Sequence, residues 1–289
     1  MDHPTAEKRI IALGSWLESP PGNYIRAWEQ ARLDALVADI FGFNAMQIGL
    51  PEVNGLAANR MPHQWLSDTQ LPAEPGQGQD KAQNRVVVVH DFAELPFASH
   101  SLDLVLLPHV LEFAEEPHQV LREVERVLIP EGQLIITGFN PASMWGVRQL
   151  AGRLTGAHLL PLDGEFISVP RLKDWLKLLN MEVNRGHFGC YAPPCRTEKW
   201  LERFAFMEKA GDRWWPYLGA VYVVQAIKRI KGMRLVGPAF KLRGARSPAT
   251  VPAVNQVQQQ QLPHRSRASH PLPAQGQQAA PARAVITEE

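Results

Sequence analysis

The sequence predicts an α/β protein with a doubly wound, mostly parallel sheet of seven strands and helices on both faces. Short apolar runs alternate with amphipathic helical segments along most of the chain, which is the pattern of successive βα units. One run, VVVV at 86–89, is apolar and β-branched throughout, as expected of a strand covered on both faces. The predicted strands are 45–50, 63–67, 85–89, 102–107, 133–137, 181–185 and 219–228.

The clearest predicted helix lies at 117–128. Its apolar residues form one stripe, and Pro117 stands in the first turn, where its missing N–H is not needed. Apolar residues also recur at helical spacing over 24–40 and 168–179. Residues 69–84 are rich in Pro, Gly and Gln, which predicts a loop.

The folded part of the chain is predicted to end near residue 237. Residues 238–289 are rich in Pro, Gln, Ala and Arg, and such a segment cannot bury enough apolar surface to offset its ordering entropy. We therefore expect an α/β domain at 1–237 and a disordered tail at 238–289. Two interpretations of the tail stay open: a flexible tether that binds a partner protein, and a tail without a partner.

Charge and hydropathy narrow the classes of partner and location. The formal net charge of +1 gives no overall reason to expect a nucleic-acid partner. No stretch approaches the roughly 20 apolar residues of a membrane span, and the charged N-terminus lacks the apolar run of a signal peptide. A cytoplasmic location is therefore expected. The two cysteines, Cys190 and Cys195, are too few for a disulfide framework or a zinc site, so no metal is expected.

The candidate site lies at the carboxyl ends of the predicted strands, where open parallel sheets bind their ligands. Gln47 and Gly49 belong to the end of the first strand, and Asp68 follows the second. That separation of about 20 residues is where nucleoside-binding sheets place an acid for the ribose hydroxyls. The third and fourth strands are followed by His90, Asp91 and Phe92, and by Pro108 and His109.

One segment carries a family resemblance. It contains LPF at 95–97, SLDLV at 101–105, VLE at 110–112, LRE at 121–123 and RVLIPEG at 126–132. With these motifs, residues 90–141 closely resemble the second half of class I S-adenosylmethionine (SAM) dependent methyltransferases, most of all the type 11 group related to ubiquinone and menaquinone biosynthesis. The resemblance implies a Rossmann-like fold whose last strand is antiparallel, SAM as the cofactor, and a small-molecule methyl acceptor.

The resemblance also implies roles for cofactor-binding residues. Asp91 and Phe92 would lie beside the adenine, with Asp91 accepting a hydrogen bond from its amine. Asp68 would hold the ribose hydroxyls, and Gly49 would let the backbone approach the cofactor.

A second set of residues would border the methyl donor and the acceptor. Pro108 and His109 would lie beside the sulfur, while Asn140, Trp145 and the segment to about Gly164 would cover the acceptor pocket. Two interpretations of His109 stay open. It is a general base, because an unperturbed histidine titrates near neutrality, or it is a hydrogen-bonded wall residue.

The loop after the first strand departs from the family pattern, in which an acid precedes three alternating glycines. The chain has QIGLPEV at 47–53, with Gln47 in place of the acid and Pro51 in place of the second glycine. Proline donates no N–H and fixes φ near −65°. We expect the Gln47 amide to face the methionine carboxylate of SAM, and the double change Gln47→Asp, Pro51→Gly to leave the fold intact and to tighten SAM binding.

Two functions are consistent with these features. The first is a SAM-dependent methyltransferase that acts on a small molecule. The alternative is a non-catalytic protein of the same fold that acts through protein partners, which the altered loop and the long tail would suit.

Overall fold

The computed structural model describes residues 6–68, 86–89, 92, 94–155, 164–195 and 197–229. The predicted tail and the whole of the predicted 69–84 loop lie outside these residues, as does Asp91. The helices are α1 (Ala6–Leu17), α2 (Pro20–Val37), α3 (Pro117–Val127), α4 (Met144–Thr155), α5 (Val169–Leu178), α6 (Glu198–Arg203) and α7 (Phe206–Trp214). The strands are β1 (Asn44–Ile48), β2 (His63–Asp68), β3 (Val86–Val89), β4 (Leu102–Pro108), β5 (Leu128–Phe139), β6 (Met181–Gly189) and β7 (Val221–Lys228).

The strands form one sheet in the order β3-β2-β1-β4-β5-β7-β6. The pairs from β3 through to β5 are all parallel, whereas β7 runs antiparallel to both of its neighbours. This confirms the predicted fold class, including the antiparallel last strand. β1 lies between β2 and β4, so the strand order reverses there, and a ligand is expected at the carboxyl ends of β1 and β4.

Helix α2 begins earlier than the predicted 24–40. Ser19 is its N-cap, with Oγ accepting from the backbone N–H of Gly22 at 3.3 Å, and two prolines occupy the first turn. Prolines are well placed there, because the first N–H groups of a helix have no partner within it. The SPPGN segment therefore starts a helix instead of forming a free turn.

Two strands are longer than predicted. β5 begins at residue 128, and its first pair with β4 is followed by a register shift. The turn-forming residues in this extension do not predict a strand. β6 continues to Gly189 along the whole of β7. Several β6 side chains are exposed, so the apolar pattern that marks a buried strand is missing.

The core is continuous through the sheet and includes α1 and α2. Leu13 and Leu17 of α1 and Ile25 and Leu33 of α2 are buried with the strands. No helix among the described residues has the length and apolar character needed to cross a membrane.

Candidate functional site

The loop after β1 is organised by the side chain of Gln47, which is fully buried. Its Nε2 donates to the backbone oxygens of Gly49, Leu50 and Val53, at 3.2, 3.1 and 2.7 Å. Its Oε1 accepts from the backbone N–H of Gly55 at 3.0 Å. Because both ends of the amide are used inside the loop, the structure corrects the expectation that this amide faces a methionine carboxylate.

The backbone directly after β1 turns through left-handed conformations, with φ of 71° at Gly49 and 49° at Leu50. Glycine adopts such values freely, whereas leucine does so rarely. A Cβ at residue 49 would lie 3.2 Å from Cγ2 of Val110 and 3.6 Å from Cζ of Phe92. Two of the predicted cofactor-binding residues, Gly49 and Phe92, are therefore brought together.

Residues 49–62, which join β1 to β2, contain turns but no helix. Asn59 holds this loop against the end of α2, because its Nδ2 donates to the oxygens of Val37 and Ile40 at 2.8 and 3.1 Å. Its Oδ1 accepts from the N–H of Met61 at 2.9 Å. A parallel crossover usually contains a helix, and helix N-termini bind anions. This loop offers no such N-terminus to a ligand.

Directly after β4, His109 lies buried between two glutamates. Its Nε2 is 2.7 Å from Oε1 of Glu29 on α2, and its Nδ1 is 2.9 Å from Oε2 of Glu112. The other oxygen of Glu112 accepts from the N–H of Phe139 at 2.5 Å. The other oxygen of Glu29 has no hydrogen-bond partner among the described residues. The cluster thus joins α2 to the carboxyl ends of β4 and β5.

The two glutamates hold a proton on His109. Burial alone would lower the pKa of the imidazole, but the charge of Glu29 and the hydrogen bonds to both glutamates outweigh it and raise that pKa to about 10. Burial raises the pKa of Glu112 above its ordinary value. With both ring nitrogens engaged, neither is free to accept a proton, so the geometry favours the interpretation of His109 as a wall residue over a general base.

Glu29 is the site residue that the sequence reasoning missed. It lies on the buried face of α2 with Ile25 and Leu33, at four-residue spacing, and is itself fully buried. An acid on the apolar stripe of an amphipathic helix needs a buried partner, and that signal was readable in the sequence. Its partner His109 is 80 residues away in the sequence, so the sequence did not reveal which residue pairs with Glu29.

Aromatic side chains fill the other half of the carboxyl edge. The Phe139 ring lies 4.4 Å from the His109 ring and 5.3 Å from that of Phe166, and Trp16 of α1 packs edge-on at 6.3 Å. Trp145 is buried and donates from Nε1 to the oxygen of Ala192 at 2.8 Å. The described part of this edge, around Phe139 and Trp145, is therefore largely aromatic.

The remaining predicted site residues lie as follows. Pro108 ends β4, is buried and pairs with Thr137 of β5. Asp68 is the last residue of β2. Its side chain and the whole of Asp91 lie outside the described residues. Asn140 is buried and donates to the oxygens of Tyr217 and Gly219 at 2.8 and 3.0 Å.

Burial and the nearby charge of Glu29 raise the pKa of the Cys190 thiol. Cys190 is buried and Cys195 is partly buried, and both are free thiols. Among the described residues, no group of three or more His, Cys, Asp or Glu side chains could hold a metal ion.

Sequence comparisons match this chain to known proteins. Residues 67–136 match the family model of the type 11 methyltransferase domain. The uncharacterized protein YafS of Escherichia coli (strain K12) is 34% identical over 177 residues, which cover 60% of this chain and 67% of YafS.

Solved structures are similar in fold. The partner of the methyltransferase activator in a Haloferax volcanii complex superimposes with a TM-score of 0.54, at 14% identity, over 78% of this chain and 98% of that one. A Thermotoga maritima SAM-dependent methyltransferase, described as a possible histamine N-methyltransferase, gives a TM-score of 0.50 at 15% identity, over 71% and 92% of the two chains.

Proposed function

We propose, from the premise that the chain belongs to the class I SAM-dependent methyltransferases of the type 11 group, that it methylates a small-molecule acceptor at the carboxyl edge of β1 and β4. The cofactor of this enzyme class is SAM. The observation that carries the proposal is the reversal of strand order between β1 and β4, with Gly49 and Phe92 close together at that edge.

The residues at the adenosine end fit SAM. Gly49 has a positive φ, and a Cβ there would crowd Val110, so this position suits glycine; we propose that its backbone lies against the cofactor. Phe92 would supply an apolar wall for the adenine. Asp68 ends the strand next to β1 and would accept from the ribose hydroxyls. Asp91, two residues beyond β3, would accept from the adenine amine.

The methionine end would be held differently from the family pattern. Gln47 is committed to its own loop, and Pro51 has no N–H to donate. A buried carboxylate oxygen without a described partner, Oε2 of Glu29, stands beside His109 at the end of β4. The carboxylate already pairs with His109 through Oε1, but Oε2 can still accept a hydrogen bond from a donor such as an ammonium, and we propose that role for it.

The chain's own residues position the reactants. SAM supplies a methyl group bonded to a positively charged sulfur, so the protein's main contribution is to hold donor and acceptor close and aligned. His109 keeps its proton, and through Glu29 and Glu112 it fixes the end of β4 against α2. The aromatic cluster around Phe139 excludes water from the acceptor side.

Methyl transfer to a small molecule is tested with SAM labelled in the methyl group. The full-length protein is incubated with the low-molecular-weight fraction of a cell extract, and the products are separated by chromatography. Label should appear in a discrete small-molecule product and be suppressed by excess S-adenosylhomocysteine. Label found only in macromolecules would contradict the small-molecule acceptor.

A protein partner for residues 238–289 is a separate proposal. The Haloferax volcanii relative in the comparison forms a complex with a methyltransferase activator, and the tail composition suits a tether. Affinity capture with the full chain and with a chain ending at residue 237 tests it. A reproducible partner should be lost with the tail, and retention of that partner by the shorter chain would contradict the proposal.

A further inference from the structure

The crossover from β3 to β4 contains no helix over its described residues, 92 and 94–101. A helix would satisfy most of its own backbone groups, whereas an irregular crossover needs partners from other parts of the chain. Leu95 is buried, and the Phe97 ring packs edge-on against that of Trp65 on β2, with the ring centroids 5.5 Å apart. The backbone of this segment therefore lies against the core and depends on partners there.

The last turns of α3 supply these partners. Arg126 donates from Nη2 to the backbone oxygen of Leu95 at 3.0 Å and from Nη1 to that of Phe97 at 2.8 Å. The carboxylate of Glu123 accepts from the backbone N–H of Leu95 at 3.3 Å. One helix thus holds Leu95 by both its N–H and its carbonyl. We call Glu123 and Arg126 the α3 clamp.

The two side chains of the α3 clamp also fix each other in orientation. Arg126 donates from Nε and Nη2 to the Glu123 carboxylate, at 3.1 and 2.8 Å. These hydrogen bonds lower the pKa of Glu123, so the carboxyl stays charged at neutral pH. A guanidinium presents its N–H groups in one rigid plane, and here that plane meets a carboxylate and two carbonyls at once.

The segment that the α3 clamp holds begins at the candidate site. Phe92 is buried, and its Cζ lies 3.6 Å from the place of a Cβ on Gly49. Leu95 follows Phe92 by three residues, a span that the chain covers in about 10 Å at most. The fixed backbone of Leu95 therefore limits where Phe92 and its neighbour Asp91 can lie.

We propose that Arg126 is a positioning residue for the cofactor. Its three nitrogens are used on Glu123 and on the segment, so it acts on the adenine end only through Phe92 and Asp91. Without the guanidinium, two carbonyls lose their donors and the segment is no longer held in one conformation. The apparent affinity then falls with the fraction of protein in the binding-competent conformation. The inference rests on the proposed function, which assigns the adenine to Phe92 and Asp91.

Titration calorimetry of the full-length protein with S-adenosylhomocysteine and with adenosine tests this role. Arg126→Ala should raise the Kd for both ligands by the same factor, about tenfold, because the effect lies at the adenosine end. The control is Arg122→Ala, which removes an exposed arginine of the same helix and should leave both Kd values unchanged. A role in stability alone would lower the fraction of protein that binds, but not the Kd of the folded molecules.

A double-mutant cycle with Asp91→Ala shows whether Arg126 acts through the adenine end. Part of what the α3 clamp positions is then missing, so adding Arg126→Ala should raise the Kd by about threefold or less. If circular dichroism shows that Arg126→Ala does not fold, Arg126→Lys takes its place in the cycle. Lysine keeps the charge but lacks the planar guanidinium, so the same pattern is expected with a smaller rise in Kd.

Two results would overturn the positioning role while the proposed function stands. One is a Kd of the Arg126 variant equal to that of wild type. The other is a rise in Kd that is as large in the Asp91→Ala background as in wild type. Absence of binding by wild type would overturn the proposed function and this inference with it, so the two failures are told apart.

Discussion

At the scale of single residues, Gln47 is the clearest case of a side chain whose position was predictable and whose role was not. The sequence placed it at the end of β1, where the family pattern has an acid. Whether a buried amide turns towards a ligand or into its own loop depends on where the backbone carbonyls point. Here the carbonyls of Gly49, Leu50 and Val53 converge on Nε2, so the side chain is a loop-forming residue.

That role changes the expected outcome of restoring the family acid. Gln47→Asp removes the donor to three carbonyls and buries a carboxylate among them, so the free energy of unfolding should fall by about 3 kcal/mol or more. Pro51→Gly, at an exposed position, should change it by less than about 1 kcal/mol. Urea unfolding of the two single variants measures both. Equal stability of Gln47→Asp and wild type would refute the role assigned to Gln47.

The buried imidazole of His109 predicts a pH dependence of stability. The pKa of His109 is about 10 in the folded protein against 6.5 as the ordinary value. A pKa raised by folding gives a contribution that is complete below pH 6.5 and is lost as the pH rises towards 10. Deprotonation leaves two buried glutamates facing a neutral ring, a loss of roughly 3–5 kcal/mol.

Urea unfolding at several values between pH 7 and pH 10 measures this loss. The matched variant is His109→Gln, which keeps a polar side chain at the site but cannot titrate there. It should be less stable than wild type at pH 7 and should show a shallower decline, since the other titrating groups are common to both proteins. Parallel pH profiles would rule out a histidinium at residue 109.

At the scale of elements, the sheet was predictable because its strands are apolar runs separated by turn-forming residues. All seven predicted strands are present in one sheet, with the antiparallel last strand that the family resemblance implied. The extension of β6 was not predictable, because an edge strand exposes many of its side chains and loses the apolar pattern. Helix α4 was not predicted either, because its exposed face carries apolar residues and the usual alternation with polar ones is absent.

The helix-free connection between β1 and β2 depends on a tertiary anchor. Asn59 donates to two carbonyls at the end of α2 and accepts from Met61. Asn59→Ala leaves these buried groups without partners, so it should lower the free energy of unfolding by about 2–3 kcal/mol. The neighbouring exposed Arg60→Ala should change it by less than about 0.5 kcal/mol. Chemical denaturation measures the free energy of unfolding of both variants. An equal decrease in the two would argue against Asn59 as the anchor of this loop.

At the scale of the whole molecule, the chain keeps the architecture of its family, while the loop after β1 departs from the family pattern. The strand order reverses between β1 and β4, and an adenosine moiety is expected to bind at that reversal. The loop that follows β1 has turned its polar groups inward, and α2 brings Glu29 into the same edge. We propose that this altered edge binds SAM.

Titration calorimetry of the full-length protein with S-adenosylhomocysteine tests cofactor binding most directly. We expect saturable binding at micromolar strength or tighter. Asp91→Ala should weaken it by the loss of one charge-assisted hydrogen bond, about 1.5–3 kcal/mol, which is roughly tenfold or more in Kd. Absence of binding by wild type at millimolar ligand would contradict the account and would leave a non-catalytic protein of the same fold.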